Sequence, residues 1–137
     1  MARHLVVAYQ TAESPELRRA LRDLHTHDPA GTFVLLVPAT PVEHLSGWTE
    51  GESRAVAGEA GERARHLLAA EGIPVEDVVI GDPNPLYAVE DELNRQPYDQ
   101  VVVSTLPPGA SRWLKMDVVS RLQRSLEIPV THVQAGG

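Results

Sequence analysis

The stretch Val101-Val102-Val103-Ser104-Thr105-Leu106-Pro107-Pro108-Gly109-Ala110-Ser111-Arg112-Trp113-Leu114-Lys115 is the most informative in the chain. A short apolar run ends in a small-residue loop, and the loop feeds a helix with two cations in its first turn. In a parallel α/β sheet such a junction lies at the carboxyl edge, where ligands bind. Free backbone N–H groups at a helix start favour an anion there. Ser111 is the expected cap of this helix, and Leu114, Val118, Leu122 and Leu126 are its apolar stripe.

Four further runs read as strands: His4 to Tyr9, Thr32 to Val37, Val75 to Ile80 and Val130 to Val133, with Gln100 to Ser104 as the fourth of five. They are rich in Val, Ile and Leu and mostly lack alternation, as expected of strands covered on both faces. Helical patterns lie between them. Ser14-Pro15-Glu16 supplies an N-cap, a proline at the first helical position and an acid in the first turn, and Leu17, Ala20, Leu21 and Leu24 follow on one face. A second helix, about Glu52 to Glu71, presents Val56, Ala60, Ala64, Leu67 and Leu68, with Gly72 placed to end it. Asn84-Pro85 opens a third, with Leu86, Val89 and Leu93. The alternation of strand and helix predicts an α/β fold, a single doubly wound domain over residues 1–137 with a parallel sheet and helices on both faces.

Composition bounds the function. Aromatics are only 4% of the chain, so the core is built from Val, Leu, Ile and Ala. There is no cysteine, which excludes disulfides, thiolate metal sites and a cysteine nucleophile. A net charge of -7 argues against nucleic acid as a partner. No segment is apolar enough for a membrane span, and Met1-Ala2-Arg3-His4 leads straight into a strand with no signal peptide. The expectation is a cytoplasmic protein. The charge is uneven: between Ser104 and Ser125, Arg112, Lys115, Arg121 and Arg124 stand against Asp117 alone. A solvated helix face accounts for this, and so does a surface turned towards an anion.

Catalytic and metal signatures are weak. There is no G-x-S-x-G elbow and no Walker A motif, and Gly58-Glu59-Ala60-Gly61 falls inside a helix, where small residues let it pack closely on the sheet. Ser104 and Ser111 have no base partner identified by sequence. His25, His27 and Asp28 cluster, but at a helix C-terminus, where histidine is favoured by the dipole. His4, His44, His66 and His132 are dispersed. The segment Pro38 to Thr49 is the one long irregular connection, with the length of a lid or a mobile loop. Trp48 and Trp113 flank the expected cleft.

The chain resembles the universal stress protein family over nearly its whole length. The resemblance is carried by the β–α order, by Gly81-Asp82-Pro83 after the third strand and by Tyr98-Asp99-Gln100-Val101-Val102-Val103 as the fourth. The closing Ile128-Pro129-Val130-Thr131-His132-Val133 adds to it. It implies a five-stranded parallel sheet in the order 3-2-1-4-5 and, as in many members, a homodimer through the C-terminal strand. One branch of the family binds ATP through a signature after the fourth strand: Gly, two residues, Gly, nine residues, Gly, then Ser or Thr. Laid on this chain those positions are Ser104, Pro107, Asp117 and Val118, and all four depart from it. Pro107 and Pro108 supply no N–H, and Gln10 stands where the family has a nucleotide-contacting aspartate.

The resemblance therefore implies a non-catalytic stress-response protein that acts through a ligand or an unknown protein partner without depending on ATP. One alternative is a nucleotide-binding or weakly ATP-hydrolysing member with a rebuilt phosphate loop. Another is an interaction module with a vestigial cleft. The candidate binding residues for a nucleotide or small anion are Tyr9 and Gln10, Pro38 and Ala39, Ser104 and Thr105, and Gly109, Ala110, Ser111, Arg112 and Lys115. Arg112 and Lys115 in a first turn oppose the helix dipole by up to about 1 kcal/mol, which a bound anion or an internal carboxylate would offset.

Overall fold

A computed structural model describes residues 2–8, 11–39, 50–105 and 116–135. The order is β1 (Arg3–Val7), α1 (Pro15–His27), β2 (Thr32–Pro38), α2 (Glu50–Ala70), β3 (Val75–Gly81), α3 (Pro85–Arg95), β4 (Gln100–Thr105), α4 (Met116–Ser125) and β5 (Val130–Gln134). The five strands form one parallel sheet in the order β3-β2-β1-β4-β5. The doubly wound α/β architecture and the strand order are as expected. β1 ends earlier than the sequence suggests; Ala8 continues it with a bond from its N–H to the Leu36 carbonyl at 3.1 Å, and Tyr9 lies outside the described residues.

Alternation along the inner strands divides the core in two. Val6, Ala8, Phe33, Leu35, Val37 and Val102 pack with Leu17 and Leu21 of α1 and Ala57, Ala64 and Leu68 of α2. Leu5, Val7, Val34, Leu36, Val101 and Val103 pack with Ala88 and Val89 of α3 and Val119 and Leu122 of α4. Each inner strand thus lines both cores, which is why its sequence shows no polar alternation.

The helix boundaries follow local chemistry. The Ser14 hydroxyl accepts the Leu17 N–H at 3.1 Å, and the Asn84 side chain accepts the Leu86 N–H at 2.9 Å. α2 ends as a Schellman motif: Gly72 has φ of 81°, its N–H reaches the Ala69 carbonyl, and the Ile73 N–H reaches that of Leu68. Ile73 and Leu68 are both buried in the same cluster, so the cap is tied to the core. The expected cap of α4, Ser111, lies outside the described residues.

The buried face of α2 differs from the expected one, and α3 adds a carboxylate to its expected apolar stripe. The buried stripe of α2 is Ala57, Gly61, Ala64 and Leu68, one residue on from the expected Val56 and Ala60, while Val56 is only partly buried. The reason is close approach to the sheet: a Cβ on Gly61 would lie 2.5 Å from Val78 Cγ1 and 3.3 Å from Val37 Cγ2. On α3 the buried residues include Glu92, which is 3% exposed. Its carboxylate accepts from the Tyr98 hydroxyl at 2.6 Å, the Gln96 amide at 2.7 Å and Arg95 Nε at 2.8 Å. Burial works against its charge, but the bonds from Arg95, Tyr98 and Gln96 outweigh it and hold the carboxyl below its ordinary range. Burial, with the same carboxylate, pushes the Tyr98 phenol up.

The two glycines of α2 should respond oppositely to alanine. Gly58 has nothing within 4 Å of a Cβ, so Gly58→Ala should stabilise by about 0.5–1 kcal/mol through helix propensity. Gly61→Ala must push Val78 and Val37 aside and should destabilise by about 1–3 kcal/mol. Urea unfolding of the two variants checks both signs.

Candidate functional site

The carboxyl edge of the sheet is where β1, β2 and β4 end side by side. The registers Val7↔Leu36 and Val7↔Val103 bring Pro38 and Ala39 of the β2 end and Ser104 and Thr105 of the β4 end to either side of β1. β1 leads to α1 on one face of the sheet and β4 leads to α4 on the other, so the chain diverges here as at a topological switch point. Of the candidate binding residues, these four are placed together at this edge. Tyr9, Gln10, Gly109, Ala110, Ser111, Arg112 and Lys115 lie outside the described residues, as do Trp48, Trp113 and residues 40–49 of the long connection.

All four placed residues are buried, Ala39 at 1%, Ser104 at 0% and Thr105 at 2% exposure. Ala39 is fixed by its N–H, which donates to the Gly81 carbonyl at 3.0 Å and so ties the β2 end to β3. The two hydroxyls have protein partners. Ser104 shares a face with Val102, the face covered by α1, and its Oγ lies 2.6 Å from Thr11 Oγ1 in the turn before that helix. Thr105 shares the opposite face with Val103, and its Oγ1 lies 2.6 Å from His132 Nε2 on β5. The register Val103↔His132 makes this a diagonal cross-strand pair. Burial lowers the His132 pKa, so the ring stays neutral at neutral pH and Nε2 accepts the Thr105 proton when Nδ1 carries the ring hydrogen.

Thr11 and His132 were not among the candidate site residues. Strand parity places Ser104 on the face of Val102, but Thr11 reaches it from the turn before α1, outside any strand pattern. His132 read as an isolated histidine because its partner lies 27 residues away on the neighbouring strand. His25 and His27 diverge: His27 Nδ1 lies 2.8 Å from the Asp23 carbonyl, and the His25 ring lies against Phe33 with centroids 6.5 Å apart. Among the described residues, no group of three His, Cys, Asp or Glu side chains is arranged to hold a metal.

The Thr11–Ser104 bond closes the floor of the switch point from within, and its loss should be felt as an orphaned buried hydroxyl. Ser104→Ala and Thr11→Val should each destabilise by about 1–3 kcal/mol. The double variant should cost clearly less than the sum, because neither hydroxyl is then left unpaired. Denaturant unfolding of the four proteins measures the coupling.

No family model matches the sequence, and no curated protein matches it by sequence. Solved structures do match the fold. The universal stress protein of Archaeoglobus fulgidus in complex with dAMP aligns with a TM-score of 0.63 at 15% identity, over 97% of this chain and 97% of that one. A universal stress protein family protein of Arabidopsis thaliana with AMP bound aligns with a TM-score of 0.57 at 17% identity, over 100% of this chain and 94% of that one. A universal stress protein in complex with cAMP gives 0.60 at 18% identity, over 98% of each chain. At such identities the likeness is one of architecture, and it agrees with the β3-β2-β1-β4-β5 order found here: the chain has the universal stress protein fold.

Proposed function

We propose that this is a cytoplasmic, non-catalytic stress-response protein that acts by binding a ligand or a protein partner and does not depend on ATP. The observation that carries the reading is the commitment of both hydroxyls at the β4 end. Ser104 stands at the first signature position of the ATP-binding branch, where a glycine lets the backbone approach phosphate. Here a side chain fills that position and is bonded to Thr11 at 2.6 Å. Thr105 beside it is taken by His132. A phosphate at this edge would have to displace bonds that the protein already makes in a dry setting, where an orphaned partner costs about 1–3 kcal/mol.

The second reading is nucleotide binding through a rebuilt loop. It is favoured by the neighbours solved with AMP, dAMP and cAMP, and it would rest on Gly109, Ala110, Ser111, Arg112 and Lys115. Titration calorimetry with magnesium-ATP, and with AMP in parallel, separates the two. We expect no binding tighter than a Kd of about 1 μM, equivalent to about -8 kcal/mol. Tighter binding of either nucleotide would establish the rebuilt loop.

The reading includes a homodimer through β5. Because the Val101 N–H bonds the Pro129 carbonyl and the Ala135 N–H bonds that of Thr105, alternation turns the backbone groups of Val130, His132 and Gln134 away from β4. Among the described residues nothing bonds them there. An open edge of this kind is a template for another strand. Sedimentation equilibrium at micromolar concentration should give a dimer; a clean monomer would overturn this part of the reading.

A further inference from the structure

The sheet has a second edge, and it is built differently. Along β3 the Gly81 carbonyl bonds Ala39 on β2, so alternation turns the backbone groups of Glu76, Val78 and Ile80 outward. The Glu76 and Ile80 carbonyls and the Val78 N–H are occupied by side chains. Arg65 Nη2 donates to the Glu76 carbonyl at 3.0 Å, and its Nε donates to the Val75 carbonyl at 3.2 Å, beside the register shift that interrupts the β2 pairing. The Val78 N–H donates to the Asp77 carboxylate at 2.8 Å. Arg54 Nη2 donates to the Ile80 carbonyl at 3.0 Å. Both arginines reach over the edge from α2, eleven residues apart on the helix.

A cleft of about 320 Å³ lies against the last three residues of the strand, Val79 to Gly81, with Arg54 on the α2 side and Asp91 and Arg95 on the α3 side. Among the described residues, what stands between this strand and another is a pair of guanidinium groups seated on its carbonyls and the Asp77 carboxylate on the Val78 N–H.

We infer that Arg54 and Arg65 are edge caps, and that β3 without them is a latent pairing surface for a second copy of this chain. The chemistry is that of any strand edge: a carbonyl that has lost its side-chain donor is open to the backbone N–H of another strand. A second copy is the fitting partner because two-fold pairing of β3 with β3 is antiparallel. It brings Glu76 and Asp77 of each copy towards the Ile80–Gly81 end of the other, so that free donors and acceptors of identical edges meet. The capped edge restricts strand addition to β5. Uncapping gives the sheet two sticky ends, the condition for growth beyond a closed pair.

The test is the mass of Arg54→Ala/Arg65→Ala in sedimentation equilibrium against wild type at tens of micromolar. Arg63→Ala serves as the control, since that side chain pairs with Glu13 at 3.7 Å and not with the edge. The double variant should sediment at twice the wild-type mass or more, although losing two cations makes the chain more negative and should drive copies apart. Arg63→Ala should match wild type. The outcome separates this inference from the β5 dimer. A wild-type dimer with a heavier variant supports both, and a wild-type monomer with a dimeric variant supports the caps alone. A folded variant of wild-type mass overturns the inference, as does an equal gain of mass in Arg63→Ala. Should the double variant fail to fold, Arg54→Ala alone decides: it removes an exposed side chain and one cap, and an unchanged mass across the concentration range would overturn the inference.

Discussion

β2, β1 and β4 are buried on both faces, and the other elements are arranged to keep them so. Leu5, Val6, Val7, Val34, Leu36, Val101 and Val103 have essentially no exposure. In such a strand every side chain belongs to one core or the other, and every backbone group must find its partner sideways in the sheet. The helices can come close enough to seal both faces only where residues are small. Gly61 lets α2 settle against Val78 and Val37. Gly81 does the same for α3, since a Cβ there would lie 2.8 Å from that of Ala88 and 2.9 Å from Leu36 Cδ1. The lateral pairing runs out at the two edges, and along β3 charged side chains take its place on the backbone.

The fold was largely legible because a parallel sheet writes its burial directly into composition. Uninterrupted runs such as Val101-Val102-Val103 and Phe33-Val34-Leu35-Leu36-Val37 are too short to cross a membrane as helices and suit strands covered on both faces, and Ser14-Pro15 and Asn84-Pro85 mark helix starts by named hydrogen bonds. Strand order was not legible in this way. Nothing in the periodicity distinguishes 3-2-1-4-5 from another doubly wound order, and it came from the resemblance. The stripe of α2 was misplaced by one residue because hydrophobicity favours Val56, whereas the packing is decided by the absence of a side chain at Gly61. Glu92 was invisible for the related reason that its burial is made tolerable by Tyr98, which lies in the loop after α3, outside the helix's own pattern.

At the carboxyl edge the sequence located the place but not the state of the groups. Ser104 and Thr105 looked like free donors and acceptors for a ligand. The pleat sends them to opposite faces, where each meets a hydroxyl or imidazole from a different element. Their partners, Thr11 and His132, are ordinary polar residues with no motif around them, and only the register of β4 against β5 brings His132 within reach. Spacing rules find sites whose members share a helix or a turn. This pair of contacts is assembled across three separate segments, so a local pattern could not reveal it.

The charge asymmetry of the sequence becomes more specific in three dimensions. In an acidic chain most arginines find carboxylates: Arg3 with Glu76, Arg18 and Arg22 with Glu71, Arg95 with Glu92. Arg121 and Arg124 do not pair with any described carboxylate within 4.0 Å. They border a shallow groove of about 480 Å³ with Tyr87, Glu90 and Ser125. Both side chains are exposed, and Arg124 lies in the last turn of α4, where the helix dipole already favours a cation by a few tenths of a kcal/mol or more. For these two residues the solvated-face reading is sufficient. The argument for an anion therefore narrows to Arg112 and Lys115, whose expected place at the start of the helix is where the same dipole opposes a positive charge. A cation there would be opposed by up to about 1 kcal/mol, which a bound anion or an internal carboxylate would offset, whereas a cation at the other end is not opposed.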